Sequence, residues 1–145
     1  MILMRINCRR IAGGVAQGRV LLSGDSISFL GNVDPDTGII VDPQHAIHGE
    51  CIKDKVLVFP HGKGSTVGSY VIYQLSKNGV GPSAMINLES EPIVAVGSII
   101  STIPLVDELE IDPFEVLHNG DLVRVDGTAG TVEVLDPSDS TPEHD

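Results

Sequence analysis

Apolar positions come in short runs along this chain, most of them closed by glycine or proline, and their spacing changes from one run to the next. Val56-Leu57-Val58-Phe59 is unbroken, which predicts a buried central strand over Lys55 to Phe59. From Thr66 to Lys77 the period lengthens. Val67, Val71 and Leu75 fall four apart, with Gly68 and Ile72 on an adjoining stripe, so a helix is predicted there. Ser65 reads as its N-cap, Lys77 suits its last turn and Gly79 its stop. Met4 to Ile11, Gly18 to Leu22, Ser26 to Leu30, Gly38 to Val41 and Ala84 to Leu88 read as further strands. Asp121 to Asp126 and Gly130 to Leu135 form a closing hairpin around Gly127-Thr128-Ala129. Ile93 to Ser101 fits helix or strand equally. Leu105 to Leu117, acidic and broken by Pro113, predicts an irregular surface crossing. No repeat or linker divides the chain. One domain is expected over 1–135, followed by an acidic, disordered tail over 136–145.

Composition narrows the class. The 145 residues suffice for a real core, but aromatics are only 3% and Trp is absent, so Val, Ile, Leu and Ala must fill it. Sixteen Gly and nine Pro favour a turn-rich, strand-rich α/β domain over a helical bundle. A net charge of −11 with no basic stripe argues against nucleic acid as partner. No apolar run reaches the ~18 residues that span a bilayer, and the first residues lack the apolar core of a signal peptide. A cytoplasmic protein is expected, independent of membranes, with Cys8 and Cys51 reduced.

Chemistry concentrates at Gly62-Lys63-Gly64-Ser65-Thr66. The order is strand, Pro60 turn, glycine-rich loop, then helix, which sets Ser65 Oγ beside free N–H groups at a helix N-terminus. Gly62 and Gly64 let another molecule approach the main chain closely. The plain alternative is that Ser65 only caps the helix. A phosphate-binding P-loop is excluded, because Lys63 is followed by Gly64 and the upstream spacing is wrong. A dinucleotide fingerprint fails at Val67, where its third glycine would stand. A Ser-His-Asp hydrolase elbow fails there too. His45-x-x-His48-x-x-Cys51 has ligand residue types but no fourth ligand at a zinc spacing, so no metal is expected. Asp34-Pro35-Asp36 reads first as a turn, with the option of lining a pocket if its loop folds over Ser65. Tyr70 and Tyr73 read as packing residues.

These segments together resemble a known family. Asp34-Pro-Asp-Thr-Gly38, Val41-Asp-Pro-Gln-His45 with Gly49, Val56-Leu-Val-Phe-Pro60, Gly62-Lys-Gly-Ser-Thr66 and Asn119-Gly120-Asp121-Leu-Val-Arg-Val-Asp126-Gly127 look like the small subunit of aconitase X. The resemblance implies a compact swivelling β/β/α domain like that of aconitases, and a hydro-lyase active only with a large subunit. For the archaeal two-subunit branch it implies dehydration of (R)-5-phosphomevalonate to trans-anhydromevalonate 5-phosphate, in a modified mevalonate route to isoprenoids. The substrate is then a small phosphorylated hydroxy acid, and a [4Fe-4S] cluster belongs to the large subunit, none being bound by this chain. Two cysteines are too few for a cluster here, which agrees. The family's proton-accepting serine corresponds to Ser65. Gly62, Lys63, Gly64, Thr66 and His45 are the accompanying substrate-binding candidates. Aconitases proper carry an arginine two positions after the serine, and here that position is Val67. Alternatives are another aconitase X dehydration, such as that of cis-3-hydroxyproline, or a non-catalytic anion-binding or assembly module.

Overall fold

The computed structural model describes residues 1–139. Eight strands form one mixed sheet: β1 (Ile2–Asn7), β2 (Arg9–Ala12), β3 (Val15–Leu22), β4 (Lys55–Phe59), β5 (Ala84–Asn87), β6 (Leu105–Asp107), β7 (Leu122–Asp126) and β8 (Thr131–Leu135). Their order is β1-β8-β7-β3-β4-β5-β6-β2. β3 to β6 run parallel at the centre, and the outer pairings are antiparallel. β1 and β2 stand at opposite ends of that order yet are separated in sequence by Cys8 alone. The sheet therefore curls until its two ends come together, and the single strand expected over Met4 to Ile11 is split between them.

Alternation along the strands makes two cores. Val20, Val56, Val58, Ala84, Ile86 and Val106 join Ile6, Val123, Val125 and Val132 in one cluster. Leu21, Leu57, Phe59, Met85 and Leu105 face the other way, toward the helices. A parallel strand covered on both faces has no polar positions, which is why β4 reads as an unbroken apolar run.

Two crossover helices cover the second face. α1, Phe29–Asn32, is a single kinked turn whose Leu30 and Gly31 leave the helical region, whereas α2 (Gly68–Lys77) and α3 (Pro92–Ser101) are full helices and α4 (Pro113–Val116) is a short turn. α2 ends as expected: the Gly79 and Val80 N–H groups return to the Ser76 and Leu75 carbonyls. The ambiguous segment from Ile93 is helical, started by Glu91, whose carboxylate accepts from the Ile93 and Val94 N–H groups. No helix among the described residues is long and apolar enough to cross a membrane.

Further expectations change. Gly38 to Val41 is not a strand and makes only isolated bridges, Ile39 with Cys51 and Ile40 with Val33. Ser26 to Leu30 is not a strand. The Ser28 N–H donates to Asn32 Oδ1 and Asn32 Nδ2 to Asp42 Oδ2, so side chains take up the hydrogen bonding a ladder would have used. The acidic crossing after Leu105 opens with β6, a buried strand. Asp107 is buried there because Arg9 forks onto both its oxygens at 2.8 Å and Ser90 donates through N–H and Oγ. Burial alone would raise the Asp107 carboxyl, but these donors outweigh it and hold it below the usual range. Of the tail expected from Asp136, Pro137–Asp139 forms a 3-10 turn and the Asp136 N–H reaches the Met1 carbonyl. Residues 140–145 lie outside the described residues.

Candidate active site

The glycine-rich loop leaves β4 at the carboxyl edge of the parallel strands, the edge where open α/β sheets bind ligands. Neighbouring segments pin it on both sides. The Pro60 carbonyl accepts from the Leu88 N–H at 3.0 Å, and Asn87 Nδ2 donates to the Phe59 carbonyl at 3.1 Å. On the other side Gly62 bridges Ile27. The Lys63 N–H donates to the Ile27 carbonyl at 3.1 Å, and the Ile27 N–H to that of His61 at 3.3 Å.

Both glycines of the loop answer internal constraints. Gly62 is buried, and a Cβ there would strike the Glu91 carboxylate and a Val94 methyl group. Its missing side chain makes room for the capped start of α3, so the close approach expected of a ligand is made by the protein itself. Gly64 holds φ of +89°, and a Cβ would strike the Ser28 hydroxyl.

Ser65 follows, exposed to solvent. Its Oγ accepts from the Val67 N–H at 3.1 Å, and its carbonyl accepts from the Gly68 N–H at 2.9 Å. Helix α2 begins at Gly68 with Val67 as its N-cap residue, so Ser65 caps a leading turn and not the helix itself. The helix is thus two residues shorter at its start than the spacing predicts. Among the described residues, the N–H groups of Gly64, Ser65 and Thr66 find no internal acceptor. A hydroxyl that receives one main-chain N–H, with three more donors beside it at a helix N-terminus, is a local setting for negative charge.

The other sequence candidates divide. Lys63 and Thr66 are exposed beside Ser65, and Lys63 makes no ion pair with a described residue. His45 is turned into the protein. Its Nε2–H donates to the Ser26 carbonyl at 3.0 Å and its Nδ1 accepts from the Ile47 N–H at 3.2 Å. With both nitrogens engaged, His45 braces the 26–28 segment that holds the serine loop. The Asp34-Pro35-Asp36 turn lies at the far end of α2, where Asn78 Nδ2 donates to the Pro35 carbonyl, so it does not fold over Ser65. Tyr70 and Tyr73 are 67% and 39% exposed, not packed as expected. A notch of about 130 Å³ beside Ser65 is lined by Thr66, Ser69, Pro92, Ile93 and Val96. A larger cavity, about 530 Å³, lies along β3 and Asn119-Gly120, and Ser65 does not line it.

Sequence reading missed Ser28, His61, Glu91 and Asn87. His61 Nδ1–H donates to the Gly62 carbonyl at 2.8 Å while Nε2 accepts from Ser26 Oγ at 3.2 Å. Nothing in linear spacing links Ser28 or Glu91 to the loop. Only the fold brings them there.

No group of three His, Cys, Asp or Glu among the described residues is placed to hold a metal ion. Cys8 and Cys51 are each half-buried and free. Burial and the carboxylates of Asp107, Asp126 and Glu110 push the Cys8 thiol up to about 12, the opposite of what a thiolate ligand needs.

Residues 5–134 match the family model for the aconitase X swivel domain. The chain belongs to that family. This swivel domain is 70% identical over 136 residues to the phosphomevalonate dehydratase small subunit of Methanococcoides burtonii, covering 94% of this chain and 99% of that one. It is 54% identical to the corresponding protein of Pyrococcus furiosus, with 94% and 99% covered. Its fold matches a chain in the crystal structure of Thermococcus kodakaraensis aconitase X, holo-form, with a TM-score of 0.86 and 51% identity. That match covers 92% of the swivel domain and 99% of the solved chain. The α/β, strand-rich swivel fold is therefore the expected one.

Proposed function

We propose that this chain is the small subunit of a phosphomevalonate dehydratase, a hydro-lyase completed by a large subunit, and that Ser65 is its proton acceptor. Full-length relatives of that name support the enzyme. The observation that carries the serine's part is the Val67 N–H, 3.1 Å from Ser65 Oγ.

The reaction converts (R)-5-phosphomevalonate to trans-anhydromevalonate 5-phosphate. A proton leaves the carbon next to the carboxylate, its C–H electron pair becomes the new double bond, and the hydroxyl on the neighbouring carbon departs. Proton and hydroxide together make the water released. A serine accepts a proton readily only as an alkoxide, so its environment must stabilise negative charge. The Val67 N–H contacts that oxygen directly, and the N-terminus of α2 adds its dipole. The Lys63 ammonium and the free N–H groups of Gly64, Ser65 and Thr66 suit the carboxylate or phosphate of the substrate.

Among the described residues no group of three His, Cys, Asp or Glu is placed to hold a metal ion, and burial with the neighbouring carboxylates pushes the Cys8 thiol up. The [4Fe-4S] cluster of such a hydro-lyase is assigned to the large subunit. The proposed metabolic role sets the enzyme in the cytoplasm, with its domain over 1–135.

The test is anaerobic co-expression with the large subunit and a dehydration assay. The wild-type pair should consume 5-phosphomevalonate. Ser65→Ala should assemble normally and lose at least ~100-fold in turnover, the lower range for removing a general base. Near-normal turnover by Ser65→Ala would reduce Ser65 to a turn cap. Turnover of cis-3-hydroxyproline alone would replace the substrate.

A further inference from the structure

Helix α3 is built with its large residues outward. Its buried positions are Val94, Gly97, Ser98 and Ser101. Its outward positions Val96, Ile99 and Ile100 are 49%, 56% and 47% exposed. The small inward residues are needed for packing: a Cβ on Gly97 would sit 2.7 Å from Ile72 Cδ1, so α2 lies close against it. A surface helix of a globular domain shows the reverse pattern, and one that is apolar all round belongs in a buried setting. From Pro92 to Ser101 there is no charged residue, in a chain of net charge −11. Contiguous exposed apolar surface of this kind marks an interaction site.

The face runs directly into the serine loop. Ile93 and Val96 line the notch shared with Thr66 and Ser69, and Thr66 adjoins Ser65. We infer that the outward face of α3 and this notch form the docking surface for the large subunit. The inference rests on the function proposed above. Ser65 stands exposed, so the subunit that encloses the substrate must close over it, and in doing so crosses Thr66 onto the apolar face. Val96 and Ile99 are then anchors at the interface, with the notch receiving a partner side chain. A second apolar stretch, around Leu3 on β1, is separated from β4 by three intervening strands whichever way the curled sheet is followed, and is not part of this surface.

The experiment measures binding of full-length small-subunit variants to the large subunit, anaerobically, together with dehydratase turnover of the reconstituted pair. Ile99→Glu and Ile99→Lys should each weaken binding by ~100-fold or more, the scale of an interface anchor, because apolar fit and not charge is lost. Melting temperatures should match the wild type, as expected at an exposed position. Should either charged variant unfold, the milder Val96→Ser/Ile99→Ser pair takes its place, with binding weakened ~10-fold. Leu3→Glu should bind as the wild type does. Binding of the Ile99 variants within threefold of wild type overturns the inference. So does selective loss with Leu3→Glu, or a small-subunit dimer that Ile99→Glu dissociates while large-subunit binding stands. The two readings fail separately: a pair that assembles through Ile99 without turning over 5-phosphomevalonate defeats the function alone. An active pair indifferent to Ile99→Glu defeats the docking surface alone.

Discussion

Gly64 lies with its open side against the Ser28 hydroxyl, in the left-handed region at φ of +89°. The contact fixes where the next residue, Ser65, presents its hydroxyl. Gly64→Ala should strain the backbone and push the loop off Ser28, costing ~1–3 kcal/mol. With Ser65 as the proposed proton acceptor, turnover should fall ~10- to 100-fold, because a shift of about 1 Å at a reacting group has that effect. Adding Ser28→Ala removes the nearest atom in the way, and the double variant should recover part of the turnover. Kinetics of the three reconstituted pairs check this. No recovery would mean that the backbone conformation alone, and not the Ser28 contact, sets the loop.

Lys63 is exposed and unpaired with described residues, so its removal should leave stability within ~0.5 kcal/mol. Lys63→Met should raise KM for the anionic substrate by about tenfold, equivalent to ~1.4 kcal/mol. High salt should shrink the difference between the two proteins by screening the charge. Steady-state kinetics at two ionic strengths measure both effects.

His45 braces the loop from behind, so its replacement should act on stability first. His45→Ala leaves the Ser26 carbonyl and the Ile47 N–H without their partner, at ~1–3 kcal/mol. Urea unfolding of the full-length chain should show the loss. A variant as stable as wild type but with raised KM would instead return His45 to the substrate.

Asp107 carries an acid dependence. Its carboxyl is held below the usual range in the folded chain, so the unfolded chain binds the proton more readily. The stabilisation is present above the unfolded value of about 4 and is lost as pH falls through the lower folded one. The melting temperature of the wild type should therefore drop below about pH 4. Asp107→Asn should be less stable at neutral pH and flatter in acid. Parallel pH slopes for the two proteins would show that other carboxylates carry the effect.

The local pattern of this chain determined much by itself. β4 was legible because a strand buried on both faces must be apolar throughout, and α2 because its buried residues recur at the helical period. Ser65 was legible because a glycine-rich loop between strand and helix sets a hydroxyl beside free N–H groups. Sequence spacing cannot show what arrives from elsewhere in the chain. β6 looked like acidic surface because the guanidinium that lets Asp107 be buried lies on β2. His45 looked available because its partners, the Ser26 carbonyl and the Ile47 N–H, are main-chain groups that no side-chain pattern reveals. The glycines at 62 and 64 were recognised as special, but their neighbours Glu91 and Ser28 were not. Tertiary structure decided those contacts, since each depends on two segments meeting at the carboxyl edge of a sheet that the sequence encodes only in pieces.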